Sequence, residues 1–278
     1  MEQEDNKYTL VTLQEQIPVF NNTKKKLRVA MLQLEDRDDP FFNWCMNINK
    51  EYCKNHDIDY IFFKSGPDTM PAYWAKVQVV LDIMNLGKHD LVIWMDSDAF
   101  VYKNKVDVRN FFSSDSKHSM VIAGDPPQWG NPVFMAAVWA VKNDSIGRKI
   151  MNEWMTHYKS EYWEKLTNGK WRSKRGAWAG INYEQGSFAQ AILPKYTKAI
   201  KSLNWYILHE TNCKNPHADC WSIHLPGAIR QVRQPCVVFE QTRKRINKFS
   251  FTLYIIILLV LILLLIIGLY IWVYKNSH

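Results

Sequence analysis

Cysteine is sparse and unpatterned in this chain. Cys45, Cys53, Cys213, Cys220 and Cys236 are odd in number and show no tight spacing, which excludes a small disulfide-stapled scaffold and agrees with a reducing compartment. No apolar stretch opens the chain either. Residues 1–22 contain Glu2, Glu4, Asp5 and Glu15, so a secretory signal is not expected. No helical segment carries a basic stripe and no nucleic-acid motif occurs, which excludes DNA or RNA as a partner. No internal repeat is evident. Charged residues make up only 22 % against 47 % apolar ones, a balance that excludes a disordered tail and suits a globular protein.

Aromatics are plentiful, at 14 % with 12 Trp among 278 residues. Trp and Tyr combine a flat apolar face with one polar handle, which serves both cores and sugar-binding clefts. The net charge of +8 favours anionic ligands such as nucleotide phosphates, or an anionic membrane surface. The length suits one sizeable domain with appendages.

The segment with most chemical content is Ile93-Trp94-Met95-Asp96-Ser97-Asp98-Ala99. An apolar run, Leu91 to Met95, reads as a buried parallel strand. It ends in two carboxylates one residue apart, and functional groups of open α/β sheets sit just beyond such strand ends. Paired carboxylates repel unless a cation lies between them. Hard oxygen donors suit Mg2+ or Mn2+, which commonly bridge a protein to substrate phosphates. Asp96, Ser97 and Asp98 are therefore candidate metal and nucleotide ligands; the plainer alternative is a strand end capped by ordinary turn residues.

From Phe251 to Val273 no charged residue occurs. These roughly 23 residues would form a helix about 35 Å long, enough to cross a bilayer. Tyr254, Tyr270, Trp272 and Tyr274 lie towards its ends, as interfacial aromatics do. Arg243, Lys244, Arg245 and Lys248 precede the run, and only Lys275 and His278 follow it. The expectation is a single-pass, C-terminally anchored membrane protein whose catalytic domain faces the cytosol. Residues 1–25 read as an N-terminal tail, 26–245 as the catalytic domain and 249–274 as the membrane helix.

Between these ends, strand and helix alternate. Leu27 to Leu32, Ile58 to Phe63, Leu91 to Met95, Met120 to Ala123 and Val133 to Val141 read as strands. Pro40 opens a helix with Phe41, Trp44, Ile48 and Tyr52 on one face. Pro71 to Leu86 is a second helix, closed by Gly87. Asn143-Asp144-Ser145 caps a third, carrying Ile146, Ile150, Trp154 and Tyr158. This alternation implies a mostly parallel sheet covered by helices. From Lys159 to Gly180 the pattern breaks into a basic, aromatic loop. It reads either as a lid that closes on a diphosphate and a sugar ring or as a solvated surface loop or membrane-facing patch.

Several ordered segments resemble glycosyltransferase family 34, which contains galactosyl-, mannosyl- and xylosyltransferases. They are Asn47 to Tyr60, Tyr73-Trp74-Ala75-Lys76-Val77, the Asp96-Ser97-Asp98 run, Val138 to Asn143, Glu184-Gln185 and His224-Leu225-Pro226-Gly227. The resemblance spans Leu27 to Gly227. It implies a GT-A fold, a Rossmann-like α/β nucleotide-sugar transferase domain. It also implies a metal-dependent transferase that moves a hexose or pentose from a nucleotide sugar, most often UDP-linked, to a glycan, glycoprotein or glycolipid acceptor with retention. By that resemblance Asp96, Asp98 and His224 hold Mn2+ or Mg2+, and Lys76 contacts donor phosphate or supports the carboxylate loop. Gln185 lies near the anomeric carbon, Glu184 orients a sugar hydroxyl or the acceptor, and Asp125 is a candidate sugar ligand. The chain departs from the family pattern at Phe134-Met135-Ala136-Ala137, where an Asn-x-Gly is usual, at Tyr183, where an acidic residue is usual, and in its C-terminal apolar run.

Three alternatives compete. A haloacid-dehalogenase-type phosphatase also uses Asp-x-Asp, but Phe100 stands where it has Thr or Val. A zinc module from His209, Cys213, His217, Cys220 and His224 has loose spacing. A catalytically inactive, membrane-tethered sugar-binding protein would keep the fold without the reaction.

Overall fold

The computed structural model describes residues 10–12, 26–112, 117–127, 133–227, 233, 235–237, 255–256, 258–259 and 261–262. The chain divides into two compact units, Met1–Arg230 and Gln231–His278. The sheet, its helices and the cavity described below all belong to the first.

In chain order the elements are β1 (Leu10–Thr12), β2 (Val29–Leu34), α1 (Pro40–His56), β3 (Asp59–Phe63), α2 (Ala72–Asn85), β4 (Leu91–Met95) and β5 (Ala99–Val101). There follow β6 (Met120–Ala123), β7 (Val138–Lys142), α3 (Ser145–Thr156), β8 (Trp163–Lys165) and β9 (Trp171–Ser173). The rest are α4 (Glu184–Ser187), α5 (Leu193–Tyr196), β10 (Ile200–Leu203), α6 (Trp205–Leu208) and β11 (Ser222–His224).

Seven strands form one sheet in the order β1-β3-β2-β4-β7-β6-β10. β2 runs parallel to β3 on one side and to β4 on the other, so the chain winds outwards in both directions from β2. A crevice opens at the carboxyl ends of strands where the order reverses in this way, and Asp96 follows the last residue of β4. Two strands depart from the parallel pattern, and β1 is one of them, antiparallel to β3. β7 is antiparallel to both β4 and β6, with Val138 opposite Met95. The expected strand from Val133 is also shorter, because Phe134 to Ala137 turn beside the crevice before β7 begins.

Both faces of the sheet are covered. Val29 and Met31 point into one apolar cluster with Tyr52, Ile93, Met95 and Trp221. Ala30 and Leu32 point into the other with Trp74, Trp94, Trp139 and Trp154. Alternate residues of one strand thus enter different cores, which is why the strands read as unbroken apolar runs. Trp74, Trp139, Trp154 and Trp221 are fully buried.

The helices are set by local signals. The Asp39 carboxylate accepts from Phe41 N at 2.8 Å and Pro40 begins α1, while Asp144 accepts from Gly147 N at 2.7 Å at the start of α3. Such caps satisfy amide groups that a helix N-terminus leaves open. The buried face of α1 is Phe42, Cys45, Asn49, Tyr52 and Cys53, one residue round from the face that apolar spacing suggests. A wholly buried amide, Asn49, occupies the middle of that face.

The loop from Lys159 to Gly180 is structured: β8 and β9 form a hairpin, with Trp163 opposite Ser173. Cys213 is disulfide-bonded, whereas Cys45, Cys53 and Cys220 are buried and form no disulfide. The cysteines therefore do not by themselves argue for a reducing compartment.

The expected membrane helix over 249–274 is corrected. Among the described residues no helix is long and apolar enough to cross a membrane. Of that stretch only Ile255, Ile256, Leu258, Leu259, Leu261 and Ile262 are described, as helical and exposed, and the remainder lies outside the described residues. A span needs about 20 consecutive helical residues, and a run without charge does not of itself supply them. The C-terminal anchor, the membrane as a partner and the cytosolic placement argued from them are not retained.

Candidate active site

The turn after β4 is held from several directions. Asp96 N donates to Ala137 O at 2.7 Å, and Ala99 N donates to Asp96 O at 3.0 Å. Gln33 Nε2 donates to the same Asp96 carbonyl at 3.1 Å. Behind the turn, Asn49 Nδ2 donates to Gln33 Oε1 at 3.1 Å and to Ala99 O at 2.9 Å, and Asn49 Oδ1 accepts from Val101 N at 2.9 Å. Tyr60 completes the network, donating to Gln33 Oε1 at 2.9 Å. Asn49 thus takes the place of a neighbouring strand along one edge of β5. The other edge pairs antiparallel with β11, with His224 opposite Ala99. This ribbon carries His224 back to the carboxylates across more than a hundred residues of chain.

The Asp96 carboxylate accepts from Trp94 Nε1 at 2.6 Å and from Lys76 Nζ at 2.8 Å. Lys76 is 6 % exposed and lies 3.5 Å from Glu184 as well. Burial works to lower its pKa, but Asp96 and Glu184 outweigh burial and leave it raised, so the ammonium keeps its charge. Burial acts in the opposite sense on Glu184, pushing its carboxyl above the usual range despite Lys76. Trp154 Nε1 donates to Glu184 O at 2.9 Å and so anchors the start of α4. Gln185 Oε1 accepts from Ala136 N at 3.1 Å.

One ligand atom from each of Asp96, Asp98 and His224 lies within 4.8 Å of the other two. His224 Nε2 is 3.4 Å from Asp98 Oδ1. Two carboxylates and one imidazole form a donor set that suits a divalent ion such as Mn2+, and the spacing fits one ion. Among the described residues no other group of three such side chains converges in this way. That excludes the zinc module there: His209 is wholly buried and neither ring nitrogen has a partner, and His217 pairs with Glu210. Burial drives His209 well below the usual imidazole range, assisted by His224 and Lys76. It therefore stands as a neutral ring edge-on to His224, with centroids 5.8 Å apart.

A cavity of about 1060 Å³ opens at this turn. All of the residues selected from sequence line it except Ser97. Ser97 is buried, and its hydroxyl donates to Glu35 Oε2 at 2.5 Å. Glu35 in turn receives Arg37 Nε at 2.7 Å. Asp125 lines the cavity with Oδ1 unpartnered; burial raises its carboxyl to about 6, against a lowering influence from His224. Sequence reading missed Gln33, Glu35 and Asn49. Their roles arise from contacts with backbone far along the chain, and no local pattern marks them.

Comparison with known proteins places this geometry. Residues 19–133 match the galactosyl transferase GMA12/MNN10 family. The match takes in Lys76, Asp96 and Asp98; Glu184, Gln185 and His224 lie beyond it. No curated protein matches the chain significantly. Among solved structures, a glycosyltransferase involved in the glycosylation of the major capsid of PBCV-1 shares 14 % identity, with 74 % of this chain and 98 % of that chain covered and a TM-score of 0.58. That likeness concerns the fold. The glycosyltransferase GlyE of Streptococcus pneumoniae TIGR4 shares 16 % identity over 65 % of this chain and 46 % of that one, at a TM-score of 0.36, too low to carry an argument. The phosphatase reading of the paired aspartates falls with this match: the family model over residues 19–133 and the shared fold together support a glycosyltransferase of the family-34 type.

Proposed function

We propose that the chain moves a hexose or pentose from a UDP-linked sugar to a hydroxyl of a glycan or glycoconjugate, using Mn2+ or Mg2+ and retaining the anomeric configuration. The supporting observation is the meeting of Asp96, Asp98 and His224 at one wall of a cavity that Glu184 and Gln185 also line. Asp96, Asp98 and His224 would hold a divalent ion, which would supply Lewis-acid neutralisation of charge on the leaving diphosphate.

The chain's own residues do the rest. Lys76 holds the Asp96 carboxylate and keeps a positive charge beside it. Gln185, fixed through Ala136, faces the sugar, and Asp125 accepts from one of its hydroxyls. The bond from the anomeric carbon to the phosphate oxygen breaks as the bond to the acceptor oxygen forms on the same face. The acceptor proton passes to the departing phosphate. A double displacement would need a free carboxylate nucleophile. Glu184 is the candidate, but it is 4 % exposed and held 3.5 Å from Lys76, which favours the same-face route.

The test is a sugar-nucleotide screen by thermal shift and hydrolysis, with and without Mn2+. A ligand at about 100 times its dissociation constant adds roughly 2.7 kcal/mol of stability. The expected result is stabilisation by a UDP-sugar only with metal, lost in Asp98→Ala. Proton NMR of the transfer product should show an α linkage from an α-linked donor. A folded chain that binds the donor without hydrolysis or transfer would instead mark a sugar-binding protein on a transferase scaffold.

A further inference from the structure

The loop between α3 and α4 sends an indole, and not its cations, to the cavity. Lys165 Nζ is 3.3 Å from Asp68 Oδ1, and Arg172 Nη2 is 2.5 Å from Glu164 Oε1. The Arg175 guanidinium lies 4.8 Å from the Tyr162 ring centroid. Among the described residues lining the cavity, Lys76 is the only lysine or arginine, and Asp96 and Glu184 already engage it. Trp178 does line the cavity, and it is 68 % exposed.

The setting of this indole is built. Its ring centroid lies 5.1 Å from Tyr73 at 75° and 5.0 Å from Tyr183 at 65°. Tyr73 and Tyr183 are themselves 5.3 Å apart, and both pack on the buried Trp163. Edge-to-face contacts of this kind fix a ring without covering it. The backbone is equally constrained. Gly180 N donates to Ala177 O at 3.1 Å, closing a turn with Trp178 and Ala179 at its centre. Ala179 has φ +54°, a left-handed conformation that costs a residue with a Cβ roughly 1–2 kcal/mol. The turn also rests on α4. A Cβ added at Gly186 would lie 2.1 Å from Gly180 O and 2.3 Å from Ala179 O, so only glycine permits this approach. The helix that carries Glu184 and Gln185 therefore seats the turn that presents Trp178. Folding alone gives no reason to hold an exposed indole on strained backbone at the mouth of a cavity.

We propose that Trp178 is the acceptor platform, on which a neutral pyranose stacks its C–H face. The inference rests on the transferase reading above. Sugar C–H groups carry the partial positive charge that an aromatic face attracts, and the ring hydroxyls stay free at the periphery to reach the donor. The acceptor is neutral because the cavity's charged lining is otherwise acidic, with Asp96, Asp98, Asp125 and Glu184. Among the described residues it offers no unengaged lysine or arginine for a carboxylate or phosphate.

Saturation-transfer NMR on the full chain tests this. The probes are the methyl α- and β-glycosides of glucose, galactose and mannose, cellobiose, maltose and a Ser/Thr-containing peptide. UDP with Mn2+ is titrated separately. At least one saccharide should bind the parent. Trp178→Ala should weaken it about tenfold, Trp178→Phe should retain most of the affinity, and the acceptor KM should rise without a matching rise in the UDP-sugar KM. Equal saccharide affinity in parent and Trp178→Ala overturns the platform, as does binding of the peptide with no binding of any sugar. If UDP with Mn2+ binds and no saccharide does, the platform alone fails. If neither binds, the transferase reading fails with it. Because Trp178 is exposed, unfolding of the variant is not expected, and thermal denaturation checks this.

Discussion

The Lys76 ammonium lies 2.8 Å from Asp96 and 3.5 Å from Glu184, so one buried cation serves two carboxylates from distant parts of the chain. Lys76 sits on α2, a helix buried nearly all round. A charge in such a place persists only when paired. The pairing links the turn after β4 to the start of α4, which are the two halves of the candidate site.

Removing that cation should leave the buried Glu184 carboxylate and the half-buried Asp96 carboxylate uncompensated. Lys76→Met is expected to cost about 3–5 kcal/mol of stability near neutral pH, measured by urea unfolding. A divalent ion would supply part of the missing charge. Mn2+ should therefore raise the melting temperature of the variant more than that of the parent. An equal or smaller shift would count against the metal trio beside Lys76.

The amide of Asn49 is the sole side-chain support of the free edge of β5 among the described residues. Asn49→Leu strands Ala99 O and Val101 N in the interior, at a cost of roughly 1–3 kcal/mol each way the group is left unmet. Because β5 pairs with the strand that carries His224, the variant should also bind Mn2+ more weakly. Urea unfolding and a Mn2+ titration followed by calorimetry measure the two effects. A destabilised variant with unchanged metal affinity would reduce Asn49 to a purely structural role.

Glu210, whose carbonyl accepts from His224 N at 2.8 Å, offers a pH test of stability. Its carboxylate is 1 % exposed and accepts from Thr211 N at 2.8 Å, Asn212 N at 2.9 Å and His217 N at 3.0 Å, with His217 Nδ1 at 2.5 Å. Burial works to raise its pKa, but these donors outweigh burial and leave it lowered. The folded state thus prefers the ionised form. The resulting stability is present above the unfolded value, near 4.3, and is lost as pH falls through the lower folded value. Glu210→Gln should therefore be destabilising at pH 6 and converge towards the parent as the pH is lowered below about 4. Parallel denaturation curves across pH 3.5 to 6 measure it, and a pH-independent difference would show that the charge is immaterial.

Apolar periodicity, caps and the abrupt end of Leu91 to Met95 in two aspartates were sufficient to read the alternating elements and to single out Asp96, Ser97 and Asp98, whereas Lys76, Asp125, Glu184, Gln185 and His224 were selected through the resemblance to family 34. Those signals are local, and local chemistry is what a sequence displays. The direction of β7 was not legible, because an apolar run looks the same whichever way it pairs. Asn49 and Gln33 were not legible, since a polar residue on a helix or strand gives no sign that it will satisfy backbone groups of another segment. The Lys159–Gly180 loop showed its cations and indoles without showing that Lys165, Arg172 and Arg175 engage other groups and that, among its described cations and indoles, Trp178 is the one lining the cavity. The charge-free run after Phe251 suggested a span, yet spanning depends on continuous helix, which composition does not establish. The sequence by itself determined which groups are available for metal and sugar chemistry. Only the tertiary structure decided which of them meet, because the distances that matter join β4, α2, α4 and β11 across a cavity that no single segment encodes.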